Sequence, residues 1–304
     1  MTKRLVYPPD VWDLYARSWE LALRADNKSD NTLYTYIQSV RLLGEWAHRQ
    51  SPVVAPDGVK PMHIRAYIVE LVDRTSAGNA HTNYRALRTF FNWLVLEEEI
   101  DRTPMDRTKP PIVPEKPVPV VTDAGIKMLF TSCQGKDFIS LRDTAIIRVL
   151  FDTGARLSEI ANLTIDDIDF DLRLIHVFGK GRRSRTIPFS PKTGLALLRY
   201  LRARAQHQQA DSPKLWLGLR GLLTGEGIKQ MLKRRGDAAG IRGLHAHRFR
   251  HTLAHVWQLN EGNETDLMRI MGWKSRQMLD RYGASAADQR AHASARALKL
   301  GDRV

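Results

Sequence analysis

Apolar residues recur every three to four positions along most of the chain, and short alternating runs occur only in its second half. In "VWDLYARSWELALRA" (11–25), Leu14, Ser18, Leu21 and Ala25 form one stripe. In "NTLYTYIQSVRLLGEWAHR", Leu33, Ile37, Val40, Leu43 and Ala47 fall together, with Asn31 as the expected cap. "PMHIRAYIVELVDR" opens on a proline, which suits a first helical turn, and "NAHTNYRALRTFFNWLVLEEE" keeps the same period. Four helices before residue 100 predict a small all-α bundle over residues 1–104.

The next stretch, "TPMDRTKPPIVPEKPVPVVT", carries six prolines. It cannot continue a helix and favours extended structure, so 105–121 is expected to be a linker. The pattern changes beyond it. "LRDTAIIRVLFDTG" predicts a helix closing at Gly154, and "LSEIANLT" predicts a second, short one. "LRLIHVF" and "RTIPF" flank the turn "GKGRRS" and predict a hairpin. "KTGLALLRYLRARAQ", "GEGIKQMLKRRGDAAG" and "HRFRHTLAHVWQLN" predict basic helices, and Ser275 is expected to cap a short helix bearing Met278, Leu279 and Tyr282. Residues 122–304 therefore read as a mainly-α α+β domain with a small antiparallel sheet.

At 304 residues and 43% hydrophobic composition, the chain can bury two cores. A single cysteine, Cys133, excludes an internal disulfide framework and any paired-cysteine metal site. No apolar run is long enough to span a bilayer, and the N-terminus has no signal-peptide pattern; a soluble, cytoplasmic protein is expected. The charge is uneven. Residues 1–121 hold 16 Lys and Arg against 15 Asp and Glu, whereas Lys180–Arg250 holds 17 against 3. That concentration points to a polyanion, with nucleic acid well ahead of membrane because no large amphipathic basic helix stands out.

Three segments carry candidate chemistry. In "TGARLSE", Arg156 follows a helix-ending glycine and precedes a new helix, so it projects from a junction where Glu159 can orient it. In "HAHRFRHTLAH", helical geometry predicts Phe249, Leu253 and Val256 as the buried stripe, with His247, Arg250 and His251 on the opposite side. "HTLAH" lacks the glutamate of a zinc-protease motif, and no metal site is expected. In "FGKGRRSR", Lys180 sits between glycines that permit close approach to a backbone. Tyr282 closes "MGWKSRQMLDRY" among Lys274, Arg276 and Arg281; its spacing suits a packed aromatic and its neighbours suit an activated phenol.

Arg156, Lys180, His247, Arg250, Trp273 and Tyr282 occur in the order and approximate spacing of the tyrosine recombinase family, which includes the phage integrases. "TGARLSE" resembles the family's first arginine motif, and "HRFRHT" resembles its His-x-x-Arg-His motif, with phenylalanine where leucine is commoner. "MGW…RY" resembles the closing motif, with Trp273 where most members carry histidine and the tyrosine nine residues beyond it. The resemblance spans essentially the whole chain. It implies a SAM-like helical core-binding domain, a linker and a catalytic domain.

It also implies a mechanism. Tyr282 attacks a DNA phosphodiester, Arg156 and Arg250 clamp the phosphate with the Trp273 indole N–H, and His247 handles the phenol proton. Lys180 resembles the family's general acid, and Glu159 and His251 are expected in support. No metal is needed, because two arginines, an imidazole and an indole N–H hold the developing charge, and no ATP is needed, because the 3′-phosphotyrosyl bond stores the energy of the cut one. Arg182, Arg183, Arg185, Arg234 and Arg235, with Arg85 and Arg88 in the helical bundle, are expected to contact DNA.

The implied partners are double-stranded DNA with inverted half-sites, a homotetramer on paired sites and an accessory directionality factor. "ASAADQRAHASARALKLGDRV" is helix-forming, and its stripe of Ala287, Ala291, Ala295 and Leu298 is expected to meet a neighbouring copy. Two other readings stay open here: a type IB topoisomerase, and a non-catalytic DNA-binding regulator. Because "GWKSRQMLDRYG" departs from the threonine-rich, histidine-bearing ending of chromosome-dimer resolvases, a phage or mobile-element integrase is the preferred role. The first expected helix starts near residue 10, so no additional arm-binding domain is expected before it.

Overall fold

The computed structural model describes residues 4–114, 119–179 and 184–298. The chain forms two compact units, Met1–Lys116 and Pro117–Val304. The first is built on α1 (Val11–Ala25), α2 (Asp30–His48), α3 (Pro61–Arg74) and α4 (Ala77–Leu96). Ser29, not Asn31, caps α2 by accepting the Thr32 N–H. All five apolar residues expected on α2 are buried.

On α1 the structure reverses the expected face. Trp12, Ala16, Trp19 and Leu23 are buried, while Leu14 and Leu21 are exposed. The two tryptophans carry far more apolar area than the leucines, so the face that holds them goes inward. Trp12 and Trp19 both meet Phe90 of α4, and Trp19 stacks on Tyr36 of α2.

Both ends of the proline-rich segment are tied down. Arg65 donates to the Arg107 carbonyl, Tyr84 to the Thr108 carbonyl, and Met105 is buried in the helical core. At the other end Val121 packs in the core of the second unit.

That unit runs α5 (Asp123–Thr131), α6 (Phe138–Thr153), α7 (Leu157–Asn162), β1 (Ile168–Asp169), β2 (Leu174–Phe178), β3 (Ser184–Pro188), α8 (Pro191–Arg204), α9 (Gly225–Ala238), α10 (Ala246–Leu259), α11 (Glu264–Met271) and α12 (Gln277–Leu298). The strands form one antiparallel sheet in the order β1-β2-β3, so the expected hairpin gains a short third strand. Ile175 faces Ile187 in register, and both side chains are fully buried. α6 is the central helix and packs against α8 and α10. Tyr282 belongs to a 22-residue helix, not to a short one. Among the described residues no helix is long and apolar enough to cross a membrane.

Two arginines expected on DNA take different places. The carboxylate of Asp143, fully buried on α6, receives Arg142 at 2.7 Å, Arg235 at 2.8 Å and Arg234 at 3.2 Å. Arg235 is enclosed, with its side chain 15% exposed, whereas Arg234 is 62% exposed. The DNA-contact expectation is therefore corrected for Arg235, whose charge is needed to balance a buried carboxylate. Asp143→Ala should cost on the order of 3–5 kcal/mol because it strands buried guanidinium groups. Arg234→Ala should cost under about 1 kcal/mol, as a largely solvated pair. Urea unfolding of the two variants distinguishes these roles, and equal small losses would contradict the assignment.

Candidate active site

Two left-handed glycines bring the candidate residues together. Gly154 ends α6 at φ 54°, and Gly272 ends α11 at φ 63°. A Cβ at Gly154 would come within 3.0 Å of Leu253, in a conformation that only glycine adopts without strain. After the first turn the chain delivers Arg156, which caps α7 and whose N–H donates to Glu159 at 2.8 Å. After the second it delivers Trp273.

Arg250 links the same two helix ends. It is 1% exposed; one amino group donates to the Gly154 carbonyl at 2.9 Å and the other to the Met271 carbonyl. Both acceptors lie at helix C-termini, where the partial negative charge favours a cation. Burial, and then the nearby Arg156 charge, lowers its pKa to about 10, so the side chain stays cationic at neutral pH. Two of its five N–H groups are used in these bonds, leaving others for a ligand oxygen.

Glu159 is the second hub. Its side chain is 1% exposed, and it accepts from Arg156 at 3.0 Å and from both amino groups of Arg185 at 2.8 Å. Burial alone would raise its pKa. The Arg185 and Arg156 hydrogen bonds and charges outweigh that and hold it at about 2. Arg185 also donates Nε to the Ile270 carbonyl at 2.7 Å. The DNA-contact expectation for Arg185 is thus corrected: all three of its nitrogens are engaged inside the protein. Strand alternation was the available signal, since Arg185 shares a face of β3 with buried Ile187. Arg156 keeps 42% of its side chain exposed and free to meet an anion.

Tyr282 is both packed and poised. The residue is 4% exposed, and its hydroxyl lies 2.6 Å from His247 Nε2. His251 stacks on the ring at 4.1 Å and 19°, Trp273 lies 4.7 Å away, and the Arg250 guanidinium is 5.9 Å from the ring centre. Partial burial, then Arg250, His245 and Arg156, lowers the His247 pKa. The imidazole is therefore neutral at pH 7 and can accept the phenol proton. The Trp273 indole N–H is buried without a hydrogen-bond partner among the described residues.

The face assigned to α10 needs correcting, because Arg250 and His251 are buried and Val256 is 40% exposed. The helix is enclosed on several sides, so a single polar face does not describe it. Lys180, Arg182 and Arg183 lie outside the described residues. Arg85 and Arg88 are exposed on α4 and line a cleft floored by Trp19 and Trp93. Tyr200, the other tyrosine of this unit, is fully buried and bonded to the Leu215 carbonyl, away from these cations. Among the described residues no group of three His, Cys, Asp or Glu side chains is placed to hold a metal ion.

A phenol, a proton acceptor and two guanidinium groups are the parts that nucleophilic attack on a phosphodiester requires. Residues 120–289 match the phage integrase family, and residues 16–101 match the N-terminal SAM-like domain of phage integrases. Tyrosine recombinase XerC of Oceanobacillus iheyensis is 30% identical over 222 residues, covering 70% of this chain and 72% of the relative. Tyrosine recombinase XerC 1 of Ralstonia nicotianae is 26% identical over 275 residues, 84% of each chain. A structure of the Tn1549 transposon integrase with circular intermediate DNA superposes with a TM-score of 0.74 over 92% of this chain and 98% of that one; at 20% identity this speaks for the fold. The chain belongs to the phage integrase family: it is a tyrosine recombinase, an enzyme that cleaves and rejoins DNA.

The Glu159 geometry carries a pH signature. Its carboxyl titrates at 4.5 when unperturbed and at about 2 here. Both states are ionised above 4.5, where its stabilisation is complete; the stabilisation fades as pH falls toward 2. Wild type should lose about 3 kcal/mol across that window through this group alone. Glu159→Gln should show a correspondingly flatter profile of unfolding free energy against pH, and parallel profiles would contradict the assignment.

Proposed function

We propose that Tyr282 is the nucleophile of a site-specific DNA recombinase. The observation that carries this is the 2.6 Å contact between its hydroxyl and His247 Nε2 beside the buried Arg250. His247 takes the phenol proton as Oη bonds to phosphorus, and the bond from phosphorus to the 5′ oxygen breaks. Lys180 gives that oxygen a proton. Arg156 and Arg250 hold the non-bridging oxygens, where charge develops, and the Trp273 N–H supplies a further donor. Glu159, Arg185 and His251 hold these groups in place. A 5′-hydroxyl from a partner strand then attacks the 3′-phosphotyrosyl bond, returns the tyrosine and seals the DNA without ATP.

The substrate on this reading is double-stranded DNA with inverted half-sites, bound by a homotetramer on paired sites and steered by a directionality factor. Arg85, Arg88, Arg182, Arg183 and Arg234 contact the backbone, and α12 beyond Tyr282 meets a neighbouring copy; Ala291, Ala295 and Leu298 on it are exposed. Integration and excision of a phage or mobile element is the preferred role, supported by the ending "GWKSRQMLDRYG". The relatives named tyrosine recombinase XerC support site-specific recombination without choosing among its roles.

The test uses a nicked duplex carrying a site selected by binding from a random pool. Tyr282→Phe should keep DNA affinity and fold, at a cost of about 1 kcal/mol for the lost hydrogen bond. It should form no SDS-resistant adduct, because phenylalanine has no oxygen to bond phosphorus. A variant that still captures DNA covalently would place the nucleophile elsewhere.

A further inference from the structure

Arg248 is the next basic residue beside the site that the mechanism does not use, and it is 8% exposed. Burial lowers its pKa. Among the described residues its acceptors are backbone carbonyls: Arg242 at 2.7 Å, Pro119 at 3.1 Å and Val120 at 3.4 Å. One turn further along α10, the Thr252 hydroxyl donates to the Arg248 carbonyl at 2.8 Å and accepts the Val121 N–H at 2.9 Å. Thr122 then caps α5 by accepting the Gly125 N–H.

The segment 119–121, which brings the chain into the catalytic unit, is thus seated on α10 by its own polar backbone groups. A buried guanidinium is costly to desolvate, and valine side chains alone would pack this segment without it. Arg248 and Thr252 each neighbour a site residue on the same helix: Arg248 follows His247, and Thr252 follows the stacked His251. Their ridge lies about 100° around the helix from that of His247 and His251. A shift of the seated segment therefore turns or tilts the ridge that carries the phenol's proton acceptor.

We infer that Arg248 and Thr252 are positioning residues, which fix α10 against the incoming segment 119–121 and thereby set the cleavage rate and not the affinity for DNA. The inference rests on Tyr282 being the nucleophile. Misplacement of reacting groups by about 1 Å costs on the order of a hundredfold in rate, so a loosened seat is read in the chemical step.

The experiment uses the full chain on the nicked duplex, with DNA affinity, melting temperature and single-turnover adduct formation measured together. Thr252→Val keeps the shape and removes the acceptor, Thr252→Ser restores it, and Arg248→Lys keeps charge without the forked donors. Thr252→Val and Arg248→Lys should each slow adduct formation at least about tenfold with affinity changed less than about threefold, and Thr252→Ser should return to the wild-type rate. Thr252→Val cleaving at the wild-type rate overturns the inference. Affinity falling in step with rate also overturns it, because that pattern belongs to general destabilisation. If Arg248→Lys fails to fold, the threonine pair decides. Wild type forming no adduct that depends on Tyr282 overturns the mechanism instead, and this inference with it.

Discussion

A guanidinium group that donates to two backbone carbonyls stands at the centre of the catalytic unit. Arg250 is almost wholly buried, and its direct partners are the carbonyls of Gly154 and Met271, at the C-terminal ends of α6 and α11. A buried charge of this kind is costly unless its partners stay in place, so one side chain fixes three helices relative to each other. The two helix ends it holds are the ones from which Arg156 and Trp273 emerge. The helix that bears it, α10, packs against α12 and so brings His247 to the Tyr282 hydroxyl.

The site that results is deliberately short of negative charge. Among the described residues, Arg156 and Arg185 pair with one ionised carboxylate, Glu159, and burial first, then the Arg156 charge, lowers the pKa of Arg250. Arg185 offsets Glu159 from inside, which leaves Arg156 half open and Arg250 with unused donors. On the proposed mechanism a phosphodiester approaching Tyr282 supplies the missing anion. On that mechanism its charge grows at the moment of attack, so the same cations favour the transition state over the bound substrate.

Much of this was legible in the chain itself. Arg156 could be placed at a helix junction because a glycine closes one helix and the apolar pattern of "LSEIANLT" opens the next. The helical register put His247 beside Arg250. Packing that depends on partners distant in sequence was not legible. The inward face of α1 was decided by the area of Trp12 and Trp19 against α4, and a stripe of leucines gave the wrong side. Arg185 and Arg235 looked like two more members of a basic surface, yet each is bound to a buried carboxylate contributed by another element. Carbonyl acceptors such as those of Gly154 and Met271 leave no trace in side-chain identity.

The central claim is that the phenol at the heart of this cluster bonds to DNA. The most direct test is to trap the adduct on a nicked duplex, trim the DNA with nuclease, digest with trypsin and map the added nucleotide mass. The account predicts it on the peptide Tyr282–Arg290, "YGASAADQR", whose only tyrosine is its first residue. Nucleotide mass on the peptide that begins at Tyr200, or on any other peptide, would contradict it.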